Sequence, residues 1–270
     1  MPEDYIHGYS PDEQQRLVAQ AEVLAPRIFA DLDFGGVSRL LEIGCGVGAE
    51  LAGIHRRWPH LELTGVDRSP RHLAAAQRLL RPLLATGRAS LIGGDGAALP
   101  FADGRFDSAI TIWMLEHVPE PGRILAEALR VLRPDGELIC TEVNNRYFAF
   151  TPELPAISHW WRQLNIQQLA CGGNPFVGGQ LYRLAQRLGA RDVHTEALPV
   201  IDSDREPRGR QRLLDYLQEL LLSAAPSLIA AGAVTPAHIG DLKAAFTTAR
   251  SDTGIAFHYY GVRLRCRPPR

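Results

Sequence analysis

Three closely spaced glycines and two acidic residues are the part of this sequence best suited to chemistry. Gly44, Gly46 and Gly48 alternate with single residues, Glu42 precedes them, and Asp67 stands nineteen residues after Gly48. Glycine adopts positive φ and lets a ligand approach the backbone. A carboxylate at the position of Asp67 can accept hydrogen bonds from both hydroxyls of a ribose. The pattern predicts a site for a nucleoside-bearing cofactor, although the glycines alone fit an ordinary glycine-rich loop equally well.

The spacing of the glycines distinguishes between kinds of cofactor. A dinucleotide site prefers G-x-G-x-x-G, with the pyrophosphate at a helix N-terminus, and the run at residues 44–48 is one residue shorter. A carboxylate such as Glu42 repels phosphate but is favourable near an amino or sulfonium group. Asp95 follows a predicted third strand, where its carboxylate could receive an adenine amino group. We therefore expect a cofactor that carries positive charge rather than a pyrophosphate.

The elements that must position these residues alternate between strand and helix. Apolar runs predict strands, whereas helical spacing and capping residues predict helices. The alternation indicates a mainly parallel sheet with right-handed crossovers, so we expect an α/β, Rossmann-like sheet of seven mostly parallel strands. Helices should cover both faces, and helical insertions should form a lid. The predicted strands are 39–43, 61–67, 89–93, 107–113, 137–143, 191–198 and 255–265.

The same pattern divides the chain into four parts. An N-terminal helical cap is expected at residues 1–38 and a cofactor-binding core at residues 39–143. Residues 144–180 are expected to form a substrate-pocket insertion. Residues 181–270 complete the core and contain a helical insertion at 205–250.

Several short motifs, in this order, resemble the class I S-adenosylmethionine-dependent methyltransferases. The resemblance is greatest to the small-molecule branch that includes the ubiquinone and menaquinone pathway enzymes, and it covers about residues 39–143. It implies transfer of a methyl group from S-adenosyl-L-methionine to a small molecule by in-line displacement. The motifs are LEIGCGVG at 41–48, VD at 66–67, GDG at 94–96, LPF at 99–101, FD at 106–107, LEHV at 115–118 and LRPDG at 132–136.

The resemblance also implies which residues hold the cofactor. Tyr5 and Tyr9 match N-terminal aromatics that fold over it, although a hydrophobic staple for the first helix explains them equally well. The complete set of expected cofactor residues is Tyr5, Tyr9, Glu42, Gly44, Cys45, Gly46, Gly48, Asp67, Arg68, Asp95, Gly96, Trp113 and Met114.

The acceptor is expected to be hydrophobic or aromatic, because aromatic residues are frequent in the insertion at 144–180. Tyr147, His159 and Trp160 are the expected substrate-binding residues. A tryptophan in this segment is also readily explained as part of the core. His117 is the candidate general base, since it follows the fourth strand at the ligand-binding edge, and a structural role in the following loop is the alternative.

Composition limits the other classes of function. The 29 basic and 30 acidic residues give a net charge of −1, which disfavours a nucleic-acid binder. Four dispersed cysteines give no metal-binding spacing and favour a reduced, cytoplasmic location, and no apolar run is long enough for a membrane span. The apolar run at 220–231 allows a homodimer. The alternatives are a protein or RNA methyltransferase, an NAD(P)-dependent oxidoreductase, and a non-catalytic cofactor-binding scaffold.

Overall fold

The computed structural model describes residues 5–201 and 207–270, so residues 1–4 of the predicted cap and 205–206 of the predicted insertion lie outside the described residues. The strands are β1 Arg39–Ile43, β2 Glu62–Asp67, β3 Ala89–Gly93, β4 Phe106–Ile112, β5 Leu132–Glu142, β6 Ala149–Thr151, β7 Arg191–Ile201 and β8 Ala256–Arg267. The helices are α1 Pro11–Ile28, α2 Ala49–Arg57, α3 Pro70–Leu79, α4 Arg81–Ala85, α5 Pro121–Val131, α6 Pro155–Ala170, α7 Leu181–Arg187, α8 Pro207–Ser223, α9 Ala225–Ala230 and α10 Pro236–Ser251.

The strands form a single mixed sheet in the order β3-β2-β1-β4-β5-β8-β6. Strands β1 to β5 are parallel, and β8 runs antiparallel to β5, β7 and β6. The strand order reverses between β1 and β4, and ligands bind outside the carboxyl ends of the strands at such a reversal. The glycine run follows β1 directly, so the fold places it at this edge.

The predicted α/β architecture is confirmed, and the prediction of seven strands is corrected to eight within the described residues. The additional strand is β6, which pairs with β8 at residues 256–258 beyond the point where β5 stops pairing. Its three residues are too few to produce a recognisable alternation, which is why the sequence does not predict it.

Two apolar cores lie on opposite faces of the sheet. On one face, buried side chains of α1 and α2 pack with those of α6, α8 and α10. On the other face, α5 and α7 supply the buried residues. This arrangement follows from a central sheet whose strands are buried on both faces. None of the described helices combines the length and the apolar character that a membrane crossing requires.

The helices of the two predicted insertions stand at the carboxyl edge of the sheet. Helix α6 follows β5, and helices α8 to α10 connect the carboxyl end of β7 to the start of β8. Helix α8 contacts α1, and α10 contacts both α6 and α8. These elements therefore form a helical layer above the glycine loop. Within the apolar run at 220–231, Leu221, Ala224 and Leu228 are fully buried in this packing, whereas Ile229 is exposed.

The glycine that begins α2 provides a test of this packing. Gly48 has φ of +77°, and a Cβ at this position would lie 2.8 Å from Leu80 Cδ1. We expect Gly48→Ala to lower the free energy of unfolding by about 1–3 kcal/mol, measured by chemical denaturation. Gly240→Ala is the matched control in α10, where a Cβ meets nothing within 4 Å, and it should stabilise the protein by about 0.5–1 kcal/mol. Equal effects of the two substitutions would contradict this account.

Candidate active site

Two adjoining cavities open at the carboxyl edge of the sheet. We call the first the glycine-loop cavity; it lies above β1 and β2. Its lining includes every expected cofactor residue except Glu42 and Gly48, namely Tyr5, Tyr9, Gly44, Cys45, Gly46, Asp67, Arg68, Asp95, Gly96, Trp113 and Met114. Leu17, Gln20, Glu50, His72 and His117 also line it. The predicted residues thus meet in one place, although they are spread over more than a hundred positions of sequence.

Asp67 fixes the shape of the glycine loop. Its Oδ2 accepts a hydrogen bond from the backbone N–H of Gly46 at 2.8 Å, and its Oδ1 accepts one from the N–H of Ser69 at 2.7 Å. Gly44 has φ of +77°, and a Cβ there would overlap the side chain of Met114. The loop therefore needs glycine both for its backbone conformation and for the close approach of Met114.

Glu42 and Gly48 support the cavity from behind. Glu42 is fully buried in β1, and its Oε2 has no hydrogen-bond partner among the described residues. Burial, together with the charges of Glu50 and Asp67, raises the pKa of Glu42 well above its ordinary value. Gly48 packs against α3 instead of facing the cavity. Glu42 thus has the indirect, supporting position expected near the glycine loop, whereas Gly48, which was expected to line the cofactor site, does not line the cavity.

Glu50 is a cavity residue that the sequence reasoning missed. It lies in the first turn of α2 and faces the glycine-loop cavity. Burial raises the pKa of Glu50 to about 7. An acid two residues after the last glycine is a usable signal, but it is also the usual preference of a helix N-terminus for negative charge.

The N-terminal segment covers the junction of the cavities with aromatic rings. The ring of Tyr5 lies 4.9 Å from that of His117 and 5.4 Å from that of Tyr9, and Tyr9 lies 4.9 Å from His72. The hydroxyl of Tyr5 donates to Glu13 Oε1 at 3.0 Å. The alternative of a simple hydrophobic staple does not account for these contacts with the sheet edge.

The second space, which we call the aromatic cavity, lies between the glycine-loop cavity and the helical layer. It encloses about 100 Å³, and since a water needs roughly 10–15 Å³ of such space, it is more than a packing defect. Phe148, Trp161, Leu164, Leu217 and Phe257 are among its apolar lining residues.

A buried polar cluster forms one wall of the aromatic cavity. Arg16 binds Glu13 through two hydrogen bonds of 2.7 and 2.6 Å and donates to Gln20 Oε1 at 2.8 Å. The hydroxyl of Tyr216 in α8 donates to the same oxygen at 3.1 Å. The cluster joins α1 to α8 across the cavity, and its hydrogen bonds offset the cost of burying the charges.

None of the three expected substrate-binding residues lines the aromatic cavity. Trp160 is fully buried, and its indole Nε1 donates to the carbonyl of Leu221 at 2.8 Å, so it belongs to the core. Tyr147 is 53% exposed and His159 stacks on His238, so neither lines the aromatic cavity. The face of α6 that lines it carries Trp161, Leu164 and Gln168, which follow the i, i+3, i+7 spacing of one helix face.

Trp113 marks the junction of the two cavities, which both include it in their lining. Its φ is +48°, a conformation that bulky residues rarely adopt. Its indole Nε1 is buried without a hydrogen-bond partner in the described part of the chain. Backbone strain and unsatisfied polar groups concentrate at functional sites. Tyr5, Leu17, Gln20 and His117 also line both cavities.

Two adjacent residues of opposite electrostatic behaviour follow β4. Burial, and then the positive charges of Arg16 and Arg68, lower the pKa of His117 to about 3. Burial raises the pKa of Glu116 to about 7, against the opposing hydrogen bond from Gln168 and the charge of Arg16. His117 is therefore neutral across the physiological range, and Glu116 titrates within it. Across residues 5–201 and 207–270, no cluster of His, Cys, Asp and Glu has the form of a metal site.

A third buried acid supports the turn that carries these residues. Glu142 Oε1 accepts hydrogen bonds from the backbone N–H groups of Met114 and Leu115, at 3.1 and 2.8 Å. Burial and the charge of Glu116 raise the pKa of Glu142 to about 8. The folded state thus keeps a proton that the unfolded state loses near pH 4.5, so this group lowers stability as pH rises from about 4.5 to 8.

Glu142→Gln tests this linkage. The variant should lose one proton's contribution to the pH dependence, up to about 1.4 kcal/mol per pH unit, so its free energy of unfolding should fall less steeply between pH 5 and 8. Denaturant titrations at several pH values measure the slope. Glu120→Gln, at an exposed ion pair with Arg123, is the control and should keep the wild-type slope. An unchanged slope in Glu142→Gln would show that Glu142 is ionised when folded.

A family model and several curated proteins are similar to part of this chain. A family model described as a methyltransferase domain matches residues 41–140. The methyltransferase GfsG of Streptomyces halstedii is 30% identical over 143 residues, which are 52% of this chain and 51% of that protein. Norajmaline N-methyltransferase of Rauvolfia serpentina is 29% identical over 153 residues, 53% of this chain and 52% of that protein. The chain spans about half the length of these curated relatives.

Solved structures share the fold across most of the chain. Phosphoethanolamine N-methyltransferase 2 of Haemonchus contortus, in complex with S-adenosyl-L-methionine, has a TM-score of 0.55 at 18% identity and covers 95% of this chain and 52% of that one. The cyclase SpnF has a TM-score of 0.54 at 22% identity and covers 94% of this chain and 81% of that one. At these identities the likeness concerns the fold alone.

Proposed function

We propose that this protein transfers a methyl group from S-adenosyl-L-methionine to a small hydrophobic or aromatic acceptor, because residues 41–140 match a family model described as a methyltransferase domain and the similar proteins include methyltransferases. The observation that carries the proposal is the pair of adjoining cavities. One is lined by the glycine loop and by carboxylates suited to a nucleoside, and the other is lined by aromatic and aliphatic side chains. Aromatic linings of this kind suit apolar ligands.

The residues of the glycine-loop cavity fit the cofactor chemically. The absence of a side chain at Gly44 and Gly46 leaves backbone open to a ligand, and Asp67 and Asp95 are acceptors for ribose hydroxyls and an adenine amino group. Glu50 places a carboxylate where an ammonium or sulfonium is welcome and a phosphate is repelled. When bound, S-adenosyl-L-methionine supplies a methyl group that the sulfonium makes electrophilic without further activation.

The contribution of the chain to such a transfer is chiefly positioning. Trp113, Gln20 and Leu17 line both cavities, so they can hold an acceptor atom against the methyl group. Correct alignment of two reactants accounts for a large part of the rate enhancement of such reactions. Tyr5 and His117 close the junction with rings in edge-to-face contact, which would exclude water from the reacting atoms.

Further observations bear on the methyl acceptor, the cellular location and the oligomeric state of the protein. Names of relatives include enzymes of natural-product chemistry, which supports a natural-product acceptor rather than one of the ubiquinone branch. The four cysteines are free thiols, which supports a reducing, cytoplasmic location. A homodimer stays a prediction, and the apolar run that suggested it is only partly buried within the chain.

The buried acids argue against the main alternative class. An NAD(P)-dependent oxidoreductase places a pyrophosphate at the glycine loop. Here Glu50 faces that position, and its ionised form would repel the phosphates. A protein or RNA methyltransferase is disfavoured by the enclosed aromatic cavity, which suits a small ligand, and by the near-zero net charge of the chain.

Calorimetric titration of S-adenosyl-L-methionine and S-adenosylhomocysteine tests the cofactor site. We expect micromolar binding to the wild type and a loss of about tenfold or more in Asp67→Ala, on the order of 1–3 kcal/mol, because the variant removes an acceptor and releases the Gly46 N–H. Glu22→Gln, an exposed position of α1, should bind like the wild type. No binding of either compound to folded wild type would overturn the proposed function.

A further inference from the structure

Glu116 combines burial with a place in the aromatic cavity. It lies in a 3₁₀ turn at Leu115–His117, directly after β4, and its residue surface is 8% exposed. It lines the aromatic cavity, where an acceptor would bind, while His117 lines both cavities. From the sequence, Glu116 is only a member of the LEHV motif at 115–118, whereas in the structure it belongs to the cavity lining.

The carboxylate of Glu116 is not required to hold the loop. The backbone carbonyl of Glu116 performs that task by accepting hydrogen bonds from the N–H of Asn174 at 2.7 Å and from Gln168 Nε2 at 3.3 Å. The side chain makes a separate contact, in which Oε2 accepts from Gln168 Nε2 at 2.7 Å. The hydrogen bond from Gln168 orients the carboxylate of Glu116. No backbone N–H of the described residues donates to its other oxygen, Oε1.

Glu116 also lacks a strong counter-ion within the described residues. The ion-pair contact found for it there is to His117, whose Nε2 lies 3.6 Å from Oε1. The nearby guanidinium of Arg16 is already bound by Glu13 through two hydrogen bonds. A buried carboxylate without an Arg or Lys partner is costly to stability, and such groups are typical of functional sites.

The two candidate bases differ in their ability to take a proton at neutral pH. His117, with a pKa near 3, is neutral but binds a proton weakly. Glu116, with a pKa of about 7, is poised at the value that general-base catalysis favours. In this environment Glu116 is therefore the better placed of the two to accept a proton.

This inference rests on the proposed function. We propose that the acceptor presents a hydroxyl group and that Glu116, oriented by Gln168, is the catalytic residue that takes its proton. The O–H bond breaks and its proton passes to a carboxylate oxygen of Glu116. The oxygen electron pair forms the new O–C bond, while the C–S bond breaks and its pair stays on sulfur. The products are a methyl ether, a thioether and a neutral Glu116.

The charges around Glu116 come from several elements. Arg16 of α1 and Gln168 of α6 favour the carboxylate, and Glu142 of β5 disfavours it. Tyr216 of α8 and Tyr259 of β8 face it as neutral phenols, since burial raises the pKa of both. The reaction needs the deprotonated form, so the rate with a weakly acidic hydroxyl should rise as pH increases through about 7. His117 stays neutral throughout and should not contribute to this limb.

The experiment compares hydroxylated aromatics of different acidity. The probes are one-, two- and three-ring phenols, each paired with a nitro-substituted analogue that is ionised in solution at pH 9. Formation of S-adenosylhomocysteine is measured with wild type, Glu116→Gln and Glu116→Asp, and Glu120→Gln is the surface control. Calorimetry of S-adenosyl-L-methionine binding to each variant verifies that the cofactor site is intact.

We expect Glu116→Gln to slow methylation of the weakly acidic phenols by about 10²-fold or more, to affect the ionised analogues by less than about fivefold, and to lose the pH limb near 7. Glu116→Asp should restore part of the rate. An equal loss with both kinds of phenol would indicate a structural role and overturn the proposal. Wild type that binds cofactor but methylates none of the phenols would also overturn it, whereas absence of cofactor binding would overturn the proposed function instead.

Discussion

The carboxylate of Asp67 is the interaction on which the candidate site depends. It ends β2, and it accepts the N–H of Gly46 in the loop after β1 and the N–H of Ser69 at the start of α3. One side chain thereby holds both the loop between β1 and α2 and the turn between β2 and α3. Backbone N–H groups that would otherwise need water are satisfied, and the loop keeps the conformation that only glycine allows at Gly44 and Gly48.

A buried polar cluster fixes the position of the helical layer, as Asp67 fixes the glycine loop. It consists of Glu13, Arg16, Gln20 and Tyr216. Its members come from α1 and α8, which are separated by most of the chain. An apolar contact would hold these helices over a range of positions, whereas directional hydrogen bonds select one. The aromatic cavity therefore keeps a defined wall even though helices, rather than the sheet, enclose most of it.

The sequence predicts most of the sheet because the apolar residues of the strands recur in short runs or in alternation and are bounded by turn residues. It predicts the glycine-loop cavity equally well, since carboxyl ends of parallel strands converge. The sequence does not predict which side of α6 faces the aromatic cavity. Trp160 and Trp161 are both apolar, and neighbouring side chains on a helix point about 100° apart. Only the partners of the helix decide which of them enters the core. The sequence names only His117 as a candidate base, because burial, which raises the pKa of Glu116, is not visible in the sequence.

Because Tyr5, Leu17, Gln20, Trp113 and His117 belong to the walls of both cavities, the two spaces are not energetically independent. A ligand in one cavity that immobilises these side chains reduces their conformational entropy. A second ligand in the other cavity then loses less entropy when it binds against them. Because such coupling is reciprocal, each ligand increases the affinity of the protein for the other by the same factor. Loss of either occupant correspondingly loosens the wall for the one that remains, which gives the molecule a built-in route to release both.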